Sequence, residues 1–558
     1  MIRTPPLFPS IHVRRLWQVR YSAFMLCFLC LPAVGQNEID IQKECTDSRP
    51  HKRVVNTISL KRNSIFDEDA KDSIALHTWA NALHTVTKPM IIRDRLTFDE
   101  GDEVTKEDIV EAEAILRAQR FLANAEIRTF NHCYDNTVDV SVETYDNWSL
   151  IPTFSFSRSG GDNNVLIGVR EDNLLGLGIR TTARYTKDEQ RSGYQVAFSS
   201  IVPWVRHANV SLRLEDNEDG EVYGVVFDKP FYHLNTQYSY FVRANHILRE
   251  DDIFQNNATR NSYRLDAQEL TAAYGWSLTS GNVLTKRLTV GMTYDKSAFT
   301  LTPQSPSQNP SLVPESRDFL YPWISFEYAE RDITVMKDVY LINQPEDINL
   351  GIRFISRLGV EIDNENDGLG LHSHIDTRKG IALNNNQLLM LQASFDAITN
   401  AGVKDFIRFD SSAEYFYRRS TLIGFYARAN ATFSSGQFLD RPIVIDDSSG
   451  VRGFPNQYQH GDHRISASAE VRFYTNYSIY QLFEVGFAVF ADAGRAFDGE
   501  QARLNEDTSL LSSIGVGARF FSNKASNAGV IHVDIAKPIA SSENINAWEW
   551  SVQLKRSF

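Results

Sequence analysis

Polar and apolar side chains alternate along the carboxy-terminal part of this chain, and this alternation limits the folds available to it. Between His463 and Phe473 one face carries Arg464, Ser466, Ser468, Glu470 and Arg472, and the other carries Ile465, Ala467, Ala469, Val471 and Phe473. The segment from Phe483 to Asp492 repeats the pattern. Because a β-strand has a side-chain period of two, each segment presents one face to water and one to an apolar neighbour. No helical pattern follows that would cover these strands, so we expect lipid on the apolar face.

Segments of the same kind fill the chain from residue 150 to residue 558. Clear examples are Pro152–Arg158, Val165–Arg170, Ile179–Tyr185, Tyr194–Ser199, Asn209–Glu215, Tyr238–Ala244, Arg287–Tyr294, Trp323–Ala329, Gln387–Phe395 and Leu422–Ala431. Gly, Asn and Asp lie between them, as is typical of antiparallel strands joined by turns. Roughly 400 residues have room for some 16 to 20 membrane-crossing strands. The pattern therefore predicts a transmembrane antiparallel β-barrel.

Residues 45–148 have a mixed pattern that predicts a small α+β domain ahead of the barrel. Val54–Ile65 is expected to be a strand, and Ile74–Val86 and Thr105–Ala123 are expected to be helices. Thr105 can cap the second helix, with Asp108 three residues later as a variant of the capping box. Two further strands, Ala125–Phe130 and Thr137–Thr144, are joined by the turn-prone pair Asp135-Asn136.

Residues 1–35 are typical of a secretory signal peptide. A basic region contains Arg14, Arg15 and Arg20, the run Ala23–Leu31 is apolar, and Ala33–Gly35 offers small residues at a cleavage site. The apolar run is shorter than the roughly 20 residues that a membrane-spanning helix needs. The alternative interpretation is an uncleaved anchor helix.

Charge and cysteine content narrow the possible partners. The chain has a formal net charge of −13, which argues against nucleic acid because that ligand requires a basic surface. Two cysteines, Cys45 and Cys133, lie beyond the signal peptide. An oxidising compartment would allow them to form a disulfide, but an even count of two does not establish that bond.

Motifs for catalysis, cofactors and metals are weak. Asp363–Gly368 begins like a calcium loop, but the twelfth position is His374 where a Glu is required, so we interpret it as an acidic loop. His460 and His463 lack further ligands at a useful spacing. The sequence has neither a Gly-x-Ser-x-Gly elbow nor a phosphate-binding loop. We expect no enzyme activity, no cofactor and no metal.

Four stretches of the chain match motifs that occur together in one family. Leu96–Asp102 with the helix after it, and Val138–Thr144, resemble a POTRA (polypeptide-transport-associated) domain. Glu171–Gly178 resembles a turn early in that family's barrel. Val451-Arg452-Gly453-Phe454 matches the tip of its sixth outer loop, and five strand-like segments follow this motif. By these motifs the chain resembles the BamA/TamA superfamily of outer-membrane assembly and translocation barrels, over nearly its whole length.

The resemblance implies a fold, a site and a location. The fold would be a surface-antigen barrel of about 16 strands over residues 150–558, with one POTRA domain over residues 45–148 in the periplasm. The loop would fold into the lumen, where Arg452 would pair with Glu470 and Asp492, and both acids lie on the polar face of their strands by parity. A final set of residues would form the carboxy-terminal signal of an outer-membrane barrel: Trp550, Val552, Leu554 and Phe558.

The implied function is insertion or translocation of polypeptides at the Gram-negative cell outer membrane. Expected partners are unfolded polypeptide clients in the periplasm, outer-membrane lipids and accessory periplasmic proteins. A client would add a strand to the POTRA sheet, and the seam between Pro152–Arg158 and Trp548–Phe558 would open to template a client strand. The alternatives are a passive pore or surface receptor with the same fold, and a lipid-modifying enzyme, which no catalytic triad supports.

Overall fold

The computed structural model describes residues 52–65, 81, 84–132, 136–159, 162–232, 236–256, 258–279, 283–362, 368–479, 483–522, 529–539 and 545–555. The expected signal peptide, Cys45, Cys133, Phe558 and most of the acidic loop 363–368 lie outside these residues. Within them, no helix is long and apolar enough to cross a membrane. The described chain forms a four-stranded sheet with two helices, a closed β-barrel and two small two-stranded sheets.

The four-stranded sheet and the helices form an amino-terminal module. Its elements are β1 (Arg53–Asn63), α1 (Pro89–Arg95), β2 (Glu103–Val104), α2 (Lys106–Arg117), β3 (Leu122–His132) and β4 (Thr137–Asp146). The sheet order is β2-β1-β4-β3, with β1 parallel to β4. The helices pack on one face of this sheet around Ile91, Leu116 and Val142, which are fully buried.

The predicted helices of the module differ from the observed ones. Thr105 caps α2 and forms a reciprocal capping box with Asp108, as the sequence indicates. However, α2 ends at Arg117 and not at Ala123, because the apolar residues that follow belong to β3. Residues 84–86, at the end of the expected helix Ile74–Val86, are not helical, and most of that segment lies outside the described residues. Helix α1, which begins with a proline, was not predicted.

The barrel is a closed antiparallel sheet in which each strand pairs with its neighbours in chain order. Its strands are β5 (Leu150–Ser159), β6 (Asp162–Leu174), β7 (Ile179–Lys187), β8 (Ser192–Ile201), β9 (Asn209–Asn217), β10 (Gly220–Lys229), β11 (Tyr238–Gln255), β12 (Ala258–Thr279), β13 (Leu284–Leu301), β14 (Arg317–Glu330), β17 (Arg353–Val360), β18 (Leu371–Asn384), β19 (Gln387–Thr399), β20 (Phe406–Arg418), β21 (Ile423–Ser435), β24 (His463–Ile479), β25 (Phe483–Phe497), β26 (Leu511–Phe521), β27 (Val530–Pro538) and β28 (Glu549–Lys555).

The barrel has twenty strands, so the expectation of about 16, which came from the family resemblance, is wrong. All twenty strands belong to the barrel wall; β11 and β12, for example, pair over eighteen residue positions. The upper end of the estimate from the alternating pattern alone is correct. Five barrel strands follow the loop motif, as the sequence indicates.

Side chains alternate across the wall as predicted. Ile465, Val489 and Ile535 point outward and are each more than 40% exposed on the outside of the barrel. The residues of opposite parity on the same strands point into the lumen, and among them Glu470, Asp492 and Asp534 are buried. This arrangement fits an apolar exterior around a polar interior.

The module contacts one rim of the barrel, which we call the module end. The backbone N of Lys88 donates to Gly176 O at 2.8 Å, and Asn173 Nδ2 donates to Thr87 Oγ1 at 2.9 Å. Arg206, in the turn after β8, donates to Leu96 O at 3.0 Å. The predicted early turn Glu171–Gly178 thus lies against the module. We call the opposite rim the distal end.

Two segments leave the wall and occupy the lumen. The lumenal loop, residues 436–462, connects β21 to β24 from the distal end and contains the short paired strands β22 (Ile443–Ile445) and β23 (Gln459–Gly461). The lumenal hairpin connects β14 to β17 from the module end and consists of β15 (Ile333–Lys337) and β16 (Pro345–Asn349). The loop was expected from the resemblance, whereas the hairpin was not.

Candidate functional site at the lumenal loop and the seam

The loop motif is held against the inner wall by its two apolar residues. Val451 and Phe454 are completely buried in a cluster with Ile445, Tyr458, Ala496 and Leu511. Two of these neighbours belong to the loop itself and two to the strands β25 and β26. The apolar residues therefore fix the loop to the wall and determine where the residue between them, Arg452, points.

Gly453 allows the loop to approach the wall closely. Its φ is +88°, and a Cβ at this position would lie 3.0 Å from Pro538 Cγ on β27. A side chain would meet both backbone strain and a steric clash. The Gly453 N–H donates to Asp447 Oδ1 at 2.6 Å, and burial raises the pKa of Asp447 to about 6. Gly453 thus has a structural role distinct from that of the apolar residues of the motif.

Arg452 binds carboxylates on two neighbouring strands. Its Nε lies 2.7 Å from Asp492 Oδ2 and its Nη2 lies 2.8 Å from Asp492 Oδ1, a bidentate pair. The same Nη2 lies 3.2 Å from Glu470 Oε1. The guanidinium also covers the ring of Phe490, with Cζ 3.4 Å from the ring centroid. A planar guanidinium suits this combination of forked hydrogen bonds and ring stacking, which Lys cannot reproduce.

The site is part of a larger network of alternating charges. Glu470 also accepts from Arg472 Nε at 2.9 Å, and Asp534 accepts from Arg519 Nη1 at 2.5 Å and lies 4.0 Å from Arg452 Nη1. Desolvation lowers the pKa of Arg452, but the hydrogen bond and charge of Asp492 outweigh it, so the net pKa is raised. Arg452 therefore stays charged, and the network stabilises its position in the lumen.

The structure brings together the three charged residues that the sequence singled out. It adds four that the sequence analysis did not assign to the site: Ser468, Arg472, Phe490 and Asp534. Ser468, Arg472 and Phe490 share the inward parity of Glu470 or Asp492 on the same strands, and Asp534 is buried on β27 two strands further on, so the alternation held the signal. Parity does not give the register between strands. That register determines which inward-pointing residues face Arg452.

The far side of the loop is fixed to the distal end of the β11–β12 hairpin. His460 Nε2 lies 2.8 Å from Phe254 O, and Gln255 Nε2 donates to Tyr458 O at 2.9 Å. Burial lowers the pKa of His460, which therefore remains neutral. The loop thus crosses the lumen from the wall at β24–β27 to the opposite wall.

The seam between the first and last barrel strands is short. β28 and β5 pair over two positions, Ser551 with Ser157 and Val552 with Phe156. The junctions on either side, β27–β28 and β5–β6, pair over seven and ten positions. Outside the barrel, the rings of Phe156 and Trp550 stack with centroids 4.8 Å apart. Pro152 on β5 has no N–H to give to a ladder and is typical of an edge strand.

The expected carboxy-terminal signal lies on the last strand. Trp550, Val552 and Leu554 lie on β28, on the face opposite to Ser551 and Gln553. Trp550 and Leu554 are exposed on the outer surface, as is Trp548 just before the strand. Phe558, which would complete this apolar series, lies outside the described residues. The last strand therefore presents an apolar outer face beside the seam.

The histidine and acidic side chains at this site do not form a metal cluster among the described residues. Across the described ranges, no group of three or more His, Cys, Asp or Glu side chains could hold a metal ion. His463, the second histidine considered above, has its Nδ1 within 3.3 Å of the Ser434 backbone N and lies apart from the His460 contact. The chemistry of the site consists of charge pairing, apolar contacts and strand pairing.

Comparison with known proteins identifies the family. The Omp85 superfamily domain matches residues 173–554, and no curated protein matches the chain. Similar solved structures include BamA from Haemophilus ducreyi lacking POTRA domains 1-3, with 12% identity, TM-score 0.41 and coverage of 90% of this chain and 84% of that one. CdiB from Acinetobacter baumannii has 11% identity and TM-score 0.46, covering 90% and 74%. CdiB from Escherichia coli has 12% identity and TM-score 0.46, covering 90% and 76%. Since the domain match runs from the early turn through the loop motif into the last strand, the chain belongs to the Omp85 superfamily and is an outer-membrane β-barrel.

Proposed function

We propose that this barrel assists the insertion or translocation of polypeptides at the outer membrane, with the module in the periplasm. The observation that carries the proposal is the seam of two residue pairs. A net backbone hydrogen bond contributes about 0.5–1.5 kcal/mol, so this junction contributes far less than its neighbours. Unpaired backbone groups that face lipid cost several kcal/mol. An opened β5 edge would therefore favour pairing with a client strand.

The module is proposed to be the single POTRA domain, and its long edge strand β3 supports a role in client binding, although the backbone N–H groups of Ala125 and Ile127 on it donate to side chains of the module. In the sheet order β2-β1-β4-β3, strand β3 lies at one edge, while the other edge is the two-residue strand β2. β3 is eleven residues long, and Phe130 on it is 42% exposed. An extended client segment can add to such an edge through backbone hydrogen bonds, with apolar side chains contacting Phe130.

Depletion of the protein followed by quantification of the outer-membrane proteome tests this proposal. We expect selective loss of certain barrels or of a secreted protein, restored by the wild-type gene. An unchanged proteome with altered solute uptake would instead support the alternative, a passive pore or surface receptor. A matched pair of strains tests the edge: Phe130→Asp should reduce client recovery, and Val110→Asp, at a more exposed apolar position on α2, should not.

A further inference from the structure

A barrel of twenty strands encloses more space than its own side chains can fill. Barrels of 16–18 strands leave an aqueous channel, and still larger ones have a plugged lumen. The lumenal loop occupies the distal half, where it spans from Arg452 to the β11–β12 hairpin. The module end needs a separate element if the lumen is to stay closed, and the lumenal hairpin β15–β16 lies there.

One face of the lumenal hairpin packs against the inner wall. Ile348 and Met336 contact Leu388 on β19 and Phe416 on β20, and together with Val339 they form an apolar cluster inside the barrel. The opposite face of the hairpin carries Ile333 and Val335, which are 45% and 66% exposed. The hairpin is thus a second layer of sheet on the inside of the wall.

The tip of the hairpin inserts into a pocket on the strands that precede the seam. Ile342 is completely buried among Tyr474, Ala488, Phe521 and Val530, which come from β24, β25, β26 and β27 in turn. The hairpin starts between β14 and β17, passes β19 and β20 and reaches β24–β27, so it lies along the inner wall at the module end and narrows the lumen there.

Polar contacts fix the same tip in a defined conformation. Asp338 pairs with Arg418 on β20, and the Asp338 carbonyl accepts from Tyr474 Oη at 3.1 Å. Glu346 accepts from the backbone N–H groups of Val339, Tyr340 and Leu341 at 2.9–3.1 Å. Asn343 Nδ2 donates to Glu484 on β25 at 2.9 Å. These are reversible contacts of polar and small apolar groups, and no covalent bond is among them.

A chain of charged groups joins the hairpin to the lumenal loop. Arg472 Nη1 donates to Val339 O at 3.3 Å, and its Nε donates to Glu470 at 2.9 Å. Glu470 in turn lies 3.2 Å from Arg452 Nη2. A shift of the loop that removes Arg452 from Glu470 would therefore change the charge balance around Arg472, which holds the hairpin.

We propose that the lumenal hairpin is a displaceable plug that closes the module end of the lumen, and that the Arg452–Glu470–Arg472 chain couples its release to the lumenal loop. The proposal rests on the proposed function in one respect: a passing or inserting client is what would displace the plug. Its closed state, however, is a property of the barrel alone and can be measured without any client.

Single-channel recordings on the purified full-length protein in planar lipid bilayers test the plug. In one variant, Asn-Gly replaces residues 337–345, which leaves Met336 paired with Glu346 across a two-residue turn. We expect its conductance to exceed that of the wild type by at least about fivefold, because the module end would be open. Ile342→Asp should open the lumen as well, since a charge is unstable in the apolar pocket.

Val335→Asp is the matched control, because it adds the same carboxylate to an exposed position of the same hairpin. Its conductance should equal that of the wild type. Each variant is first checked for the heat-resistant electrophoretic migration of a folded barrel. A folded tip-shortened variant with wild-type conductance would overturn the plug.

The coupling is tested with a spin label at Val335→Cys in a background of Cys45→Ser and Cys133→Ser. Arg452→Ala and Arg472→Met should both make the label more mobile, whereas Arg378→Met, on the lumenal face of β18, should not. Unchanged mobility in both would overturn the coupling. The two proposals can also fail separately. If the tip-shortened variant conducts but depletion of the protein leaves the outer-membrane proteome unchanged, the plug is upheld and the proposed function is rejected.

Discussion

The seam and the wall beside the loop motif lie a few strands apart, yet they are built in opposite ways. β28 and β5 meet over two residue pairs, with small lumenal residues such as Ser157 and Ser551 at the contact. β24 and β25 pair over fourteen positions, and their lumenal faces carry Glu470 and Asp492, which bind Arg452. The same polypeptide thus combines a weak junction with a wall that is held by long strand pairing and buried ion pairs.

This contrast shows where the barrel can move. Breaking the seam exchanges roughly two backbone hydrogen bonds, about 1–3 kcal/mol in all, together with the hydrogen bond from Ser155 Oγ to Val552 O at 3.3 Å and one aromatic stack. Breaking the motif site leaves buried charges without partners, at a cost of roughly 3–5 kcal/mol per pair. We infer that opening takes place at the seam while the wall of β24–β27 holds the loop in register. Each prediction below changes one side of this comparison.

The largest effect is expected from closing the seam covalently. Ser157 and Ser551 are directly paired, and paired residues in antiparallel strands have Cα atoms about 4.5–5.5 Å apart, within the range of a disulfide. With Cys45→Ser and Cys133→Ser in the background, oxidised Ser157→Cys/Ser551→Cys should lose client insertion or secretion and regain it on reduction. Complementation of the depletion strain measures this.

A disulfide at the neighbouring junction provides the control. Ser157 also pairs with Asn164 on β6, so Ser157→Cys/Asn164→Cys shares one substitution but joins strands that are already paired over ten positions. It should complement under oxidising conditions. If the oxidised seam variant complements equally well, opening of the seam is not part of the function, although the barrel itself would be unaffected.

The next largest effect is expected at Arg452. Arg452→Ala leaves Asp492 and Glu470 facing each other without the guanidinium, so the loop should detach and the barrel should lose up to roughly 3–5 kcal/mol of stability, less where water enters the lumen. Arg452→Lys keeps the charge but cannot bind Asp492 through two parallel hydrogen bonds. It should retain part of the function. Thermal unfolding and complementation at equal membrane levels provide the readouts, and wild-type behaviour of Arg452→Ala would refute the role of the pair.

The two carboxylates should differ from each other. Asp492 makes the bidentate contact at 2.7 and 2.8 Å and also accepts from Ser468 Oγ at 2.6 Å, whereas Glu470 divides its charge between Arg452 and Arg472. Asp492→Asn should therefore reduce function more than Glu470→Gln, and both less than Arg452→Ala. Protease sensitivity of the loop in intact cells ranks the three variants, and an equal or reversed order for the two carboxylates would contradict the assignment.

Much of the fold follows from side-chain alternation, which reports locally on which face of a strand meets lipid. That signal placed Glu470 and Asp492 on the lumenal face and Trp550 on the outer face. The alternation cannot give the number of barrel strands, because strands that cross the membrane and strands of a loop hairpin share the same period. The count of about 16 was therefore borrowed from the resemblance and was wrong.

The lumenal hairpin illustrates a different limit. Its strands are five residues each, with a pattern too short to separate from a turn. The tip of the hairpin is buried because Ile342 contacts residues more than 100 positions later in the chain. Such contacts depend on barrel closure and register, neither of which is encoded in any single window of sequence. The Arg472 link between loop and hairpin was missed for the same reason.

The smallest effect concerns pH and the distal attachment of the loop. Burial lowers the pKa of His460, whereas a histidine in the released loop would titrate near 6.5. The released state then binds more protons, so the contact with Phe254 O is fully stabilising above about pH 6.5 and is lost as pH falls through the lowered value. Asp447, whose pKa is raised to about 6, acts in the opposite direction below that pH.

The difference between wild type and His460→Gln isolates the contribution of the histidine, since Gln keeps an N–H donor without a charge. Hydrogen exchange of the loop should rise on acidification from pH 7 to 5 more in the wild type than in His460→Gln, and parallel curves would show that His460 does not control the attachment.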